Sequence, residues 1–410
     1  MKKFFVITLT MGISLALAAK APTHHSLRAE AMGNAHVAVV DDKEAIYFNY
    51  AGLSQINRLG NYKYRPEQGY YPRNMGDMRI NFGGGGPFED YFSTFNDVMD
   101  IQDLAQRAND AGGDYNGLLD SLSNHPELTS MMNSYDHKRL DMRIKFDAEM
   151  ACNGFGGAIW VDGSIAPYLD GGLIIPFMVI DTFYIDAVAQ LGTAYSLTDK
   201  LSLGVGGKVA KRQKVAAVTL DVKNYKTLQD TLSDRIDDII DDLDDASAIS
   251  FGLDFGSLYQ LTREVRLGAS LRDIYFTKLA GDRIIPNLTM GVNYSPVFFN
   301  KNTGFGRKLN LALDYADAFE SEHNYKPLSH INFGFEFEQS LLAIPGYYTY
   351  LRALALRLSG GFKGGYPTAG VAVEVLRFIT LELATWGEEQ GYYTGQDEER
   401  VYMAQLSIGF

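Results

Sequence analysis

VYMAQLSIGF, residues 401–410, closes the chain on a strict alternation. Tyr402, Ala404, Leu406, Ile408 and Phe410 fall on one face; Met403, Gln405, Ser407 and Gly409 fall on the other. Successive side chains of a strand point to opposite faces, so this period of two predicts a strand with one apolar face and one small or polar face. About ten residues suffice to cross a bilayer when a strand is tilted. Such a strand, ending on an aromatic residue, predicts the closing strand of an outer-membrane β-barrel. Tyr402, Leu406, Ile408 and Phe410 are then the insertion signal offered to outer-membrane lipids and to the barrel-insertion machinery.

The other end of the chain agrees. Lys2 and Lys3 precede an apolar stretch from Phe4 to Ala18, and Ala16-Leu17-Ala18 supplies small residues for cleavage. Residues 1–19 are therefore expected to be a signal peptide. Beyond them the longest apolar run, Leu173 to Ile180, covers about a third of a spanning helix. A chain of this kind enters a membrane as strands. In lipid every backbone polar group must be paired, and strands achieve that by closing into a barrel. The single cysteine, Cys152, rules out an intramolecular disulfide. The net charge of −13 speaks against nucleic-acid binding, which needs a basic patch.

The same alternation recurs along the chain. In residues 139–149, Leu140, Met142, Ile144, Phe146 and Ala148 share a face, while Arg139, Asp141, Arg143, Lys145, Asp147 and Glu149 share the other. A face so charged does not fit a soluble two-sheet core; it fits a wall between lipid and a watery lumen. Segments near 153–162, 169–179, 183–196, 201–212, 249–260, 264–275, 287–295, 308–317, 329–338, 352–362, 367–377, 378–386 and 400–410 complete fourteen expected strands. Pieces near 59–65 and 78–84 are further candidates, and Pro176 weakens 169–179. The fold class is thus an all-β transmembrane antiparallel barrel of about fourteen strands. Tight turns at 197–200 and 262–264 are read as periplasmic, and the 213–248 and 387–399 loops as external. Two insertions, 88–137 and 222–247, carry helical spacing. The sequence leaves open which side the first of them occupies, although strand counting from 139 favours the periplasm. The second pairs an apolar stripe with a run of aspartates that lacks the glycine turn of a calcium loop and is read as a solvated face.

Between the signal and the barrel lies LRAEAMGNAHVAVVDDKEAIYFNYAGLSQI, residues 27–56. Arg28, the run Ala31 to Ala35, Val37-Ala38-Val39, Asp41-Asp42, Ala45 and the run Phe48 to Leu53 resemble the N-terminal segment of the FadL-type long-chain fatty-acid transporter superfamily. The likeness is greatest to its PorV-like and TraF-like branch. Residues 254–273 and 402–410 also look like this group. The family typically has Asn-Pro-Ala where this chain has Asn49-Tyr50-Ala51. The resemblance implies a barrel whose lumen is closed by an N-terminal hatch over residues 20–57, with the barrel spanning 58–410. It places Gly33, Asn34, Asp41, Asp42, Asn49, Ala51 and Gly52 in that hatch. It implies passage of small, hydrophobic molecules across the cell outer membrane. Alternatively, a non-transporting barrel serves as an accessory component of a secretion or conjugation system, with a partner protein on its external loops.

Chemistry of other kinds finds no pattern. No histidine or cysteine cluster, phosphate loop or catalytic triad emerges, so no enzyme activity, metal or cofactor is expected. His24 and His25, near the expected mature terminus, are read as exposed. The charged residues of the polar strand faces remain. Arg143, Lys145, Asp147, Lys208, Asp254, Arg266, Arg272, Asp314, Glu336, Arg357, Glu374 and Glu382 are expected to line the lumen. Charges there need partners, because an unpaired buried charge is costly.

Overall fold

Alternating side chains let each strand satisfy two environments at once, and the whole architecture follows from that. The computed structural model describes residues 18–19, 21–56, 76–86, 141–165, 167–170, 177–180, 183–215, 218–220, 249–281, 283–299, 307–319, 327–345, 350–389, 395–396 and 398–410. Fourteen strands close into one barrel. In chain order they are β1 Gly76–Gly85, β2 Asp141–Cys152, β3 Phe155–Ile165, β4 Phe183–Ser196, β5 Leu201–Val215, β6 Ile249–Gln260 and β7 Val265–Tyr275. Then follow β8 Asn287–Tyr294, β9 Arg307–Tyr315, β10 Ile331–Pro345, β11 Tyr350–Lys363, β12 Tyr366–Val375, β13 Ile379–Glu389 and β14 Glu398–Gly409. All neighbours are antiparallel. The ring closes where β14 pairs with β1, Ile408 opposite Met78 and Val401 opposite Gly85. Gly76 and Phe410 exchange backbone hydrogen bonds of 3.0 and 2.9 Å at the seam.

Fourteen strands match the expected number, but one member differs. The 169–179 segment is not in the barrel. Pro167–Asp170 and Phe177–Ile180 pair with each other, and the latter with Val218–Leu220, in a separate three-stranded sheet beyond the ends of β3, β4 and β5. The residue interrupting that stretch, Pro176, has no N–H to give a ladder. Its place in the count is taken by β1, the 78–84 candidate. The exchange also corrects the sidedness of the 88–137 insertion. The last residues of β1 and the first of β2, between which it falls in the chain, lie at the end of the barrel opposite Phe410. Both insertions read as helical, 88–137 and 222–247, lie outside the described residues, as do 59–65 and most of 1–19. Ala18–Ala19 pair in parallel with Arg283–Ile284.

The two wall faces differ as membrane and lumen require. Met142, Ile144, Phe146 and Met150 of β2 are exposed outward, while Asp141, Lys145, Asp147 and Glu149 are buried inward. On β14, Tyr402, Leu406, Ile408 and Phe410 face outward, and Met403, Gln405 and Ser407 are buried. No helix among the described residues is long and apolar enough to cross a membrane. A closed barrel with an apolar exterior and a charged interior is an integral outer-membrane architecture. Phe146 lies mid-strand, 51 % exposed, between Ile80 and Val161. Phe146→Lys is expected to cost about 2–4 kcal/mol in urea unfolding from lipid vesicles, and Phe155→Lys at the turn end of β3 about 0–1 kcal/mol. Equal costs at the two depths would mean that this face does not meet lipid.

Candidate functional site

Residues 21–56 occupy the lumen. Short helices α1, Leu27–Ala31, and α2, Ala45–Phe48, are followed by a 3-10 turn at Tyr50–Gln55. Ser26 caps α1 by accepting from the Ala29 N–H, and Asn49 caps the 3-10 turn by accepting from the Ala51 N–H. After α1 the chain reverses through Gly33 and Asn34 at φ 65° and 58°. The left-handed conformation suits glycine and asparagine, and a Cβ at Gly33 would lie 2.6 Å from the Phe362 carbonyl oxygen. Gly52 makes a similar approach to Val40.

The segment is tied to the wall around most of the ring. Arg28, 2 % exposed, is the centre of the largest cluster. Its Nε and Nη2 donate to Glu336 at 2.5 and 2.7 Å, it reaches Asp41 at 3.2 Å, and it pairs with Asp42. Lys308 pairs with Asp41, and Asn310 donates to Glu336 at 3.1 Å. A second cluster joins Arg79 to Glu44 at 3.0 Å, to Asp147 at 3.6 Å and to Glu149. Lys43 meets Asp77 at 2.6 Å. Asp314 accepts the backbone N–H groups of His36 and Val37 at 2.7 and 2.8 Å. Asn49 Nδ2 donates to the Val37 and Ser257 carbonyls at 2.9 and 3.0 Å. Arg272 donates to the Tyr47 carbonyl at 3.0 Å, Lys145 to that of His25 at 2.7 Å and Thr368 to that of Ala31 at 2.9 Å. Lys363 meets Glu30 at 2.8 Å.

The remaining lumenal charges find partners on the wall. Arg143 forms a two-pronged pair with Glu388 at 3.0 and 2.7 Å. Lys208 lies 2.8 Å from Asp254 and 2.7 Å from Asp273. Arg357 reaches Glu382 at 2.7 Å. Arg266 donates to Gln260 at 3.1 Å, and Glu374 lines a small cavity. Arg79, Lys43, Glu44, Glu30, Lys308, Lys363 and Glu388 escaped the sequence reading. Arg79 was legible: Met78, Ile80 and Phe82 alternate with Asp77, Arg79 and Asn81.

The expected exposure of His24 and His25 is corrected: His25 is half-buried and meets Glu30 at 2.8 Å. His24 is buried, not exposed: its ring stacks on Tyr47 with centroids 3.4 Å apart and meets the edge of Trp160 at 5.8 Å. Burial, reinforced by Lys145, holds its imidazole down to about 3, so the ring is neutral at pH 7. The sequence shows an N-terminal histidine pair but not that the chain there turns back into a lumen.

Two cavities adjoin the segment among the described residues. The larger, about 400 Å³, opens toward the end opposite Phe410. Tyr47, Phe48, Trp160 and Val188 make one wall, and Arg272, Lys363 and Glu388 are among its charged residues. The smaller, about 100 Å³, lies toward the Phe410 end and is lined by Arg28, Asp42, Glu44, Arg79, Glu374 and Glu382. The Arg28 and Arg79 clusters stand between the two.

No protein-family model matches the chain, and no curated protein matches it. Solved structures with a similar outline include the toluene transporter TbuX of Ralstonia pickettii, at 12 % identity and TM-score 0.46 over 94 % of this chain and 98 % of that one. The toluene transporter TodX of P. putida is similar at 12 % identity and TM-score 0.44, over 94 % and 98 %. The monoaromatic hydrocarbon channel CymD is similar at 11 % identity and TM-score 0.36, over 96 % and 99 %.

Proposed function

We propose that this barrel is a gated transporter that passes small, hydrophobic molecules across the outer membrane, with residues 21–56 as its hatch. The observation that supports this most directly is the position of that segment in the lumen, with a cavity on either side of it. Its polar contacts exchange for water at modest net cost, while apolar clusters such as Leu27 and Ala31 with Trp386, Val401 and Met403 set how firmly it is held. A solute entering the larger cavity meets an aromatic wall of Tyr47, Phe48 and Trp160 beside charged groups. That wall fits a compact apolar or aromatic body, and the charges fit a polar end. Movement of the hatch would join the two cavities. The accessory reading placed its partner on the 213–248 and 387–399 loops, most of which lie outside the described residues.

The test uses refolded protein for two measurements, mass spectrometry of extracted bound molecules and conductance in planar bilayers. A defined apolar ligand with little steady ion current is the expected result. A large, continuous current without ligand would mean an open porin. Neither ligand nor current, even after loading with apolar solutes, would leave a sealed barrel with a structural role.

A further inference from the structure

We propose that the lumenal segment also binds one divalent transition-metal ion of the zinc class, held by His36, Asp42 and Glu44. One ligand atom from each lies within 4.8 Å of the others. His36 decides the matter. Its side chain is 0 % exposed, with Nε2 4.0 Å from Glu44 Oε2. Neither ring nitrogen has a hydrogen-bond partner among the described residues. Withdrawing an imidazole from water with both nitrogens unsatisfied is costly, and buried polar groups of this kind ordinarily have a partner. A metal ion is such a partner, since neutral imidazole offers it a lone pair. The ring is also pre-oriented: Phe48 packs on it at 4.8 Å, and Asp314 fixes the His36 backbone.

The donor set selects the ion. Two carboxylates balance a divalent charge. The imidazole turns preference from calcium or magnesium, which take oxygen ligands, toward zinc and its neighbours. Ligands about 2.0–2.2 Å from a single ion stand roughly 3–4 Å apart, so closing the present spacing takes side-chain movements of about 1 Å.

Competing contacts leave room for it. Arg28 pairs with Asp42 through Nη1, yet its Nε and Nη2 stay on Glu336 when that contact is given up. Arg79 holds Glu44 by Oε1 at 3.0 Å, which leaves Oε2 to exchange its 2.8 Å bond from Ser26 for the ion. Asp42 and Glu44 line the smaller cavity, which gives an entry path from the Phe410 end of the barrel. Because all three ligands lie on the lumenal segment, the site does not depend on the transport reading.

The experiment uses untagged, refolded full-length protein in detergent. It is incubated with zinc chloride, freed of excess by gel filtration and analysed for metal by mass spectrometry; cobalt(II) serves as a visible-absorption probe. Retention of about one equivalent is expected, as for a preformed protein site. His36→Ala should lower apparent affinity at least about tenfold, while His24→Ala, at a histidine outside the site, retains the ion. Heat-dependent gel mobility checks that the variants fold. If His36→Ala does not fold, X-ray absorption on the zinc-loaded wild type decides: one imidazole in the coordination shell supports the site. No retained metal, a shell without imidazole, or equal retention by a folded His36→Ala, meaning an adventitious ion only, would overturn it.

Discussion

Arg28→Ala is expected to release the lumenal segment and raise the conductance of the barrel. The guanidinium carries Glu336, Asp41 and Asp42 at once. Glu336 is 1 % exposed, and it also meets Asn310 and, at 3.9 Å, Arg357. Deleting one partner of a buried ion pair costs about 3–5 kcal/mol, because the survivor stays buried without compensation. Each 1.4 kcal/mol is about tenfold, so the docked-to-undocked ratio should fall by roughly a hundredfold to a few thousandfold. The barrel ladder contains no bond from Arg28 and should persist. Two readouts on the same sample separate these effects: steady planar-bilayer current and protease cleavage within residues 21–56 should rise, while the gel mobility of the folded barrel is unchanged. Arg28→Lys should fall between, since an ammonium cannot reproduce the fork that holds Glu336 through two nitrogens. An Arg28→Ala protein as closed and protease-resistant as the wild type would show that the cluster orders the lumen without holding the segment.

How much of this was legible in the sequence depends on which contacts are local. The barrel is written in period-two alternation, and the terminal strand alone carries its logic through Tyr402, Leu406, Ile408 and Phe410. The exchange of 169–179 for β1 shows the limit. Leu173 to Ile180 is more apolar than Gly76–Gly85, but barrel membership is decided by ladder pairing with β14 and β2, a relation between positions far apart in the chain. Similarly, the polar faces show that Glu336 needs a partner but not which one. Arg28 precedes it by 308 positions, and only closure of the ring with the N-terminal segment inside brings the two together. His24 fails for the same reason: its stacking partner Tyr47 is near in sequence, but its burial comes from the lumen.

The second large effect lies on the far side of the ring from Glu336, where the segment meets β4 and β5. Gly192 and Gly206 face each other across that pair of strands, with Gly204 next along β5. All three back onto Tyr50: a Cβ at Gly206 would lie 2.5 Å from its Cε1, and one at Gly204 2.8 Å from its Cβ. The trough admits the ring because its floor is bare backbone. Tyr50 stands where the resembling family typically has proline, and these glycines are the space its ring occupies. Gly204→Val puts a branched side chain where Tyr50 and the Ala51 N–H now sit. Overpacking costs about 1–3 kcal/mol, and expulsion of the turn exposes Tyr50, 2 % accessible at present. Burial of such a side chain contributes about 1.5–3 kcal/mol, a loss of the same size; because the added Cβ meets the backbone of Tyr50 and Ala51 and not a movable side-chain tip, local undocking of residues 49–55 is the expected outcome. Gly207 is the control: it faces outward, and a Cβ there meets only Leu253 Cδ2, at 4.0 Å. Gly204→Val should raise cleavage near residues 49–56 and the bilayer current, while Gly207→Val does neither and both barrels resist urea alike. If Gly204→Val instead weakens the barrel and leaves the segment protected, the wall yields before the hatch, and the glycine trough is a feature of strand pairing. If Gly204→Val and Arg28→Ala each open the lumen, the segment is held as one unit between opposite walls. If only one does, that wall is the latch and the other the hinge.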